Sequence, residues 1–176
     1  MTIVGTKIEG RANFMTVAWV TRTNYQPCQI AIAIHREHAT TKGVLANGEF
    51  SINLPSQNMV RETDVMGLLS GKRVDKSRFF DIHYGELENA PLITDCPLSL
   101  ELRLVGKLEQ PSNWLLVGEL VAAWTRDEYL TDGYVDIEKV QPFTLSMPDN
   151  RYWAVGEMVG RAWHEGKPLK DKVKNG

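Results

Sequence analysis

A chain of 176 residues, 43% hydrophobic and 24% charged, has material for one globular domain with a real core. A net charge of −2, with no basic block outside the tail Lys167–Gly176, argues against electrostatic binding to nucleic acid. No run approaches the roughly 18 apolar residues of a transmembrane helix, so no membrane partner is expected. Met1–Phe14 lacks the basic and apolar parts of a secretory leader, which makes the cytoplasm the expected compartment. Cys28 and Cys96 stand far apart, each beside a proline, and are expected to be packing residues rather than a redox pair.

The run MTVAWVT (Met15–Thr21) reads as a strand and NYQP (Asn24–Pro27) as a turn. QIAIAI (Gln29–Ile34) is the paired strand. One face carries Ile30, Ile32 and Ile34; the other carries Ala31 and Ala33, small enough to let another group lie close. A short helix follows, with Thr40 and Thr41 as the N-cap residue types, Val44 and Leu45 as its apolar face and Asn47-Gly48 as its end. EFSINLP (Glu49–Pro55) is a third strand, stopped at Pro55. Met59–Leu69 is predicted helical, Ser70–Ser77 a polar loop, and the segment from Arg78 to Ile93 mostly irregular. Leu98–Val105 and Trp114–Trp124 are long strands across a turn at Glu109–Asn113. Asp132–Asp136 marks a hairpin or loop, and Pro142–Met147 and Tyr152–Val155 are short closing strands.

The tally is six or seven strands with two or three short helices and no internal repeat. Alternating strands joined by tight turns favour a closed or half-closed antiparallel barrel over a doubly wound sheet. One domain is expected over residues 1–165. The polar, Lys-rich tail over 166–176 is expected to be a solvated, frayed terminus rather than an interaction arm.

The chemistry concentrates where IAIAI runs into HREHATTKGVLANGEF. A helix N-terminus offers free amides and the positive end of a dipole. Thr40 and Thr41 add hydroxyls; His38, Lys42 and Arg36 add positive charge. That set suits a phosphate monoester, and it equally describes an ordinary capped helix with solvated His and Arg. SGKRVDKS (Ser70–Ser77) has the same double reading. Ser70-Gly71 could bring backbone against a ligand, Lys72, Arg73 and Lys76 could reach an anion, and Asp75 could orient one of them or serve the turn. Trp19 is either core or a wall for a planar ligand.

Other chemistries lack their motifs. Neither GxxxxGK[ST] nor GxGxxG occurs. Without HExxH or CxxC no zinc site is recognisable, and there is no GxSxG nucleophile elbow.

GRANFMTVAW (Gly10–Trp19), AIHREHATTKGVLANGEFSINLPS (Ala33–Ser56), GLLSGKRVDKS (Gly67–Ser77), APLITDCPLSLE (Ala90–Glu101) and LLVGELV (Leu115–Val121) together resemble the flavin reductase-like FMN-binding domain, in its flavoredoxin-type branch. The resemblance runs from about Val4 to Gly160 and rests on the order and spacing of all five stretches. It implies a mainly β fold, a split antiparallel barrel with a few short helices, forming a homodimer with non-covalent FMN near the interface. It assigns Asn13, Phe14, Met15 and Thr16 to the isoalloxazine, through backbone and amide groups, with Trp19 packed beside it. His38, Thr40 and Thr41 would hold the phosphate. Ser70, Gly71 and Lys76 would close the site, with Lys76 on the phosphate or a flavin carbonyl, and Tyr152 matches a late aromatic that covers the flavin. The family's His before the strand WLLVGEL is replaced here by Asn113-Trp114, which puts a His role in nicotinamide binding in doubt. The first strand is expected to be clipped. Trp114, Trp124, Trp153 and Trp163 are interface or core residues.

No catalytic side chain and no metal are expected, because flavin chemistry belongs to the cofactor. The expected activity is an NAD(P)H-dependent FMN oxidoreductase serving free flavin, ferric chelates or a protein acceptor. The alternatives are a flavoredoxin-like electron carrier with tightly bound FMN and a non-catalytic flavin-binding protein.

Overall fold

The computed structural model describes residues 1–174. Asn175 and Gly176, the end of the expected tail, lie outside the described residues. Thr2–Ile8 (β1) and Arg11–Val17 (β2) form a hairpin paired over the whole length of β1. Its two-residue turn, Glu9-Gly10, has both φ values positive, at 50° and 78°, as the right-handed twist of the strands requires. This first strand has seven residues and is paired on both sides.

The run expected as one strand over Met15–Thr21 is broken. β2 ends at Val17, and Val20–Asn24 (β3) begins after Ala18-Trp19. Gln29–His35 (β4) pairs with β3. Helix α1 (Ala39–Asn47) follows and stops at Gly48, whose φ of 68° lets its N–H reach the carbonyl of Val44 at 2.9 Å. Glu49–Leu54 (β5) ends before Pro55 as expected. Val60–Leu68 (α2), entered through a 3₁₀ turn at Gln57–Met59, fulfils the helix predicted there.

The segment read as irregular holds two short paired strands, Ile82–His83 (β6) and Leu92–Ile93 (β7). Leu98–Glu109 (β8) and Asn113–Thr125 (β9) make the long hairpin, with register shifts at Glu101/Leu102 and Leu104/Gly106 that curl it. Leu130–Thr131 (β10) and Tyr134–Val135 (β11) form the small hairpin, followed by the single helical turn α3 (Ile137–Val140). Phe143–Ser146 (β12) and Arg151–Ala154 (β13) pair with each other and not with the main sheet. The tail, expected to be frayed, carries a helix, α4 (Lys167–Lys174).

The main sheet has seven antiparallel strands in the order β2-β1-β5-β8-β9-β4-β3. Its two edge strands are successive pieces of one chain run, joined only by Ala18-Trp19. The sheet must therefore curl until its edges approach, which gives the half-closed, split form of a barrel. Inside lie Val4, Met15, Ile32, Ile34, Phe50, Ile52, Leu102 and Leu116. Burial of each such side chain contributes about 1.5–3 kcal/mol. A second cluster, with Ile3, Phe14, Met59, Met66 and Ile93, lies on the other face of β1 and β2.

Glu101 is wholly buried on β8. Its Oε2 accepts from the Glu86 N–H at 2.9 Å and from Trp124 Nε1 at 2.7 Å, and its Oε1 accepts from the Leu87 N–H at 2.9 Å. Those three donors tie the 85–87 loop and β9 to the sheet. Trp124 is thus occupied structurally, and Trp114 is half-buried against the core.

Candidate functional site

Three adjoining cavities of about 380, 290 and 230 Å³ form one crevice beside β2, the start of α1 and the loop after α2. Met15, His38 and Gly67 line both the first and second; Gly71, Lys72 and Lys76 line both the second and third. The crevice has one apolar end and one cationic end.

The apolar end is walled by Val17, Ala18, Trp19 and Ala33, with Leu145 and Met147 across from them. Trp19 is 55% exposed, so it is a wall and not core. The break after Val17 puts it there. Its carbonyl accepts the Ala33 N–H at 3.0 Å, which fixes the chain leaving β2 against the small face of β4. Thr16 also lines this end, and its hydroxyl donates to the carbonyl of Thr63 on α2.

At the middle, α1 points its N-terminus into the crevice. The N-cap is His38 and not Thr40 or Thr41, which are the second and third helical residues. No side chain caps this end, so its first-turn amides keep their donor capacity. The Thr40 hydroxyl accepts from Asn13 Nδ2 at 2.8 Å, which leaves its own proton free for a ligand. His38 is held below the ordinary histidine range by burial and then by the neighbouring charges of His35, Lys76 and Lys72.

The loop Ser70–Asp75 closes the cationic end. A Cβ on Gly71 would stand 2.0 Å from Asn13 Oδ1, so only glycine lets loop and strand approach this closely. Lys76 is 3% exposed, and its Nζ donates to the carbonyl of Met66 at 2.8 Å in the last turn of α2. Burial pulls its pKa down to about 8. One of its three N–H groups is used, leaving donor capacity in a cavity it lines. Arg11, Lys72 and Arg73 surround the same end. Asp75 serves the turn: it accepts from the Ser77 N–H at 3.1 Å and pairs with Arg78.

Three of the sequence-predicted residues keep their side chains out of the crevice. Phe14 is fully buried in the second core cluster, edge-on to Phe80 at 5.5 Å, so only its backbone faces β2's neighbours. The Thr41 hydroxyl is buried and donates to the His35 carbonyl at 2.8 Å. Tyr152 packs on Phe143 and donates to Asp64 at 2.8 Å; it lines none of the three cavities. Arg36 is taken by Glu109 at 2.8 Å. Asn13, Met15, Thr16, Trp19, His38, Thr40, Ser70, Gly71 and Lys76 are brought together.

Residues 1–142 match the family model described as the flavin reductase like domain. The chain belongs to the flavin reductase-like family. This flavin reductase-like chain superposes with a TM-score of 0.94 on a flavoredoxin from Methanosarcina acetivorans, to which it is 45% identical, with 96% of this chain and 90% of that one covered. A flavoredoxin of Desulfovibrio vulgaris (Miyazaki F) gives 0.87 at 31% identity, covering 94% and 91%. A protein of Aeropyrum pernix is 30% identical over 145 residues; the match spans 80% of this chain and about half, 54%, of that relative.

Sequence reasoning missed Leu145, Met147 and Asn113 at the apolar end and Arg11 at the cationic end. Asn113 carried a signal, since it faces His35 across β4 and β9 and occupies the place noted for its lack of a histidine. Leu145 and Met147 carried none, because the β12–β13 hairpin reaches the crevice only through tertiary packing.

Proposed function

We propose that this chain is an FMN-binding oxidoreductase, reduced by NAD(P)H and passing electrons to a small-molecule or protein acceptor. The observation that carries the reading is the crevice itself: an apolar slot that runs into an uncapped helix N-terminus and a buried lysine. These residues fit FMN. The rings suit the wall of Val17, Ala18, Trp19 and Ala33. The phosphate suits the first turn of α1, the Thr40 hydroxyl and Lys76, since charge-assisted bonds to a dianion are about twice as strong as neutral ones. Gly71 and Asn13 bring loop and strand together beneath it.

Bound FMN supplies hydride and single-electron transfer. The protein's share is to orient and to exclude. Met15, Val17 and Trp19 keep water from one flank. Lys76, charged at pH 7, places a positive group in a dry setting where it acts strongly on a developing negative charge. The exposed side at Met147 leaves an approach for a donor. The proposed assembly is a homodimer in the cytoplasm. No helix among the described residues is long and apolar enough to cross a membrane.

A second reading, an electron carrier whose FMN stays bound between protein partners, is favoured by the 45% identity to a flavoredoxin. One experiment separates the two. The purified protein's visible spectrum is recorded, and NADH and NADPH are then added without oxygen. Bleaching within seconds supports the reductase. A yellow protein that bleaches only with dithionite supports the carrier. A colourless protein that takes up no FMN refutes both.

A further inference from the structure

Lys76 has more than an ammonium kept only for its charge would need. It is 3% exposed, and its Nζ is steadied by one bond, to the Met66 carbonyl at 2.8 Å. It also lines two cavities, so the amine is dry but not sealed in. Burial lowers its pKa to about 8, so at that pH about half of it is the neutral amine, against about 0.3% of a free lysine. Desolvation of this kind is what makes a lysine a nucleophile.

The cavity of about 290 Å³ that Lys76 shares with the start of α1 has two kinds of lining. Ala39 and Thr40 bring first-turn amides that have no intrahelical acceptor. The Thr40 side chain is 2% exposed; its hydroxyl accepts from Asn13 Nδ2, and its own proton has no acceptor among the described residues. Met15, Met66 and Leu69 bring apolar side chains. A phosphate, a short aliphatic group and a nucleophilic amine therefore meet in one cavity.

We propose that in the flavin-free chain Lys76 is acylated by short-chain acyl phosphates, with the phosphate at the start of α1 and the acyl group against Met15, Met66 and Leu69. The Nζ lone pair forms a C–N bond at the acyl carbon, and the bond from that carbon to the phosphate oxygen breaks. The phosphate leaves with the bonding pair and takes the proton that the amine sheds, as hydrogen phosphate. The product is a neutral amide, and no oxidant or reductant is needed. A phosphate monoester seats equally well but has no activated carbonyl for the amine to attack. The amide has lost the charge proposed to hold the flavin phosphate, so acylation closes the crevice to flavin. The proposal rests on the phosphate seat of the flavin reading, but its chemistry is testable without flavin.

The probe is acetyl phosphate, added at about pH 8 to the full chain freed of flavin, with each lysine followed by peptide mass spectrometry. The neutral fraction favours Lys76 about 150-fold over an ordinary lysine, and the lower basicity of its amine cuts this to about tenfold if amines follow the trend of thiols. Lys76 should thus be acetylated at least about tenfold faster than Lys72, which lines the same cavities but is exposed. Inorganic phosphate should slow Lys76 and spare Lys72. With p-nitrophenyl acetate, which has no phosphate, the preference should shrink and the competition vanish. Lys76 reacting no faster than Lys72, or reacting fast with both donors and without regard to phosphate, overturns the proposal. Thr40→Val should slow acetyl phosphate at Lys76 and leave p-nitrophenyl acetate unchanged; equal rates from variant and wild type with acetyl phosphate also overturn it. The competition by phosphate needs no variant, so the test does not depend on how Thr40→Val folds.

A titration with FMN separates the two readings. The acetylated chain should bind FMN at least about tenfold more weakly than the untreated one, and undiminished binding overturns the proposed closure. A chain that binds FMN but shows no preference for Lys76 overturns the acylation and leaves the flavin reading standing. A chain acetylated at Lys76 in competition with phosphate, yet taking no FMN before treatment, supports the acylation and refutes the flavin reading.

Discussion

Lys76→Met separates two contributions that the lysine combines. In the flavin-free fold its pKa stands at about 8, against 10.5 for a free lysine. Each unit is worth about 1.4 kcal/mol, so keeping the ammonium at pH 7 costs the fold about 3 kcal/mol. The methionine removes that cost but strips the Met66 carbonyl of its donor, a loss of about 1–3 kcal/mol. The flavin-free variant should therefore be about 0–2 kcal/mol more stable than wild type at pH 7. Between pH 8 and 10.5 the unfolded lysine keeps its proton while the folded one releases it, so wild-type stability climbs with pH across that window. The variant lacks the climb and loses its advantage. Toward FMN the order inverts: losing a charge-assisted bond of about 1.5–3 kcal/mol weakens binding about 10- to 150-fold at pH 7. Wild-type affinity should fall above about pH 8 and the variant's should not. Urea unfolding at about pH 7 and about pH 9.5, with a fluorescence titration of FMN, reads all of these. A variant less stable than wild type at pH 7, with an unchanged pH slope and unchanged FMN affinity, refutes the reasoning.

Thr40→Val should weaken FMN about tenfold or more and, by orphaning Asn13 Nδ2, also cost about 1–3 kcal/mol of stability, whereas Thr41→Val should cost a similar amount by orphaning the His35 carbonyl and leave affinity nearly unchanged; the FMN titration separates them, with melting curves reading the stability loss in both. Gly71→Ala forces a methyl into Asn13, and a loss of about 1–3 kcal/mol together with weaker FMN binding is expected, checked by urea unfolding and the same titration. Glu101→Gln puts an amide donor against a carboxylate's three donors and should destabilise the fold by about 2–4 kcal/mol while FMN affinity in the folded protein is retained; lost affinity without lost stability contradicts the structural role given to Glu101.

The strand–helix–strand run from Gln29 to Leu54 was legible almost to the residue, because alternation, a cap and a proline all act locally. The break at Ala18-Trp19 was not, since nothing local interrupts MTVAWVT; the break exists because the chain must pass from one sheet edge to the other. β6 and β7, with two residues each, are too short for any period to show. In the site, Lys76 and Gly71 could be picked out by residue type. Phe14 could not be assigned a face, because β2 is covered on both sides and alternation loses its meaning there. The β12–β13 side chains at the mouth depend on contacts that no spacing encodes.

The link at Ala18-Trp19 also makes the crevice audible from the sheet. Since β2 and β3 are consecutive, neither edge can shift without moving the residues between them, and Trp19 is both the wall of the slot and the acceptor for the Ala33 amide at 3.0 Å. Anything that wedges the slot wider must lengthen that bond. The exchange rate of a single backbone proton, on Ala33, thus gauges whether the slot is tight or sprung, in a protein whose ligand need not be seen at all.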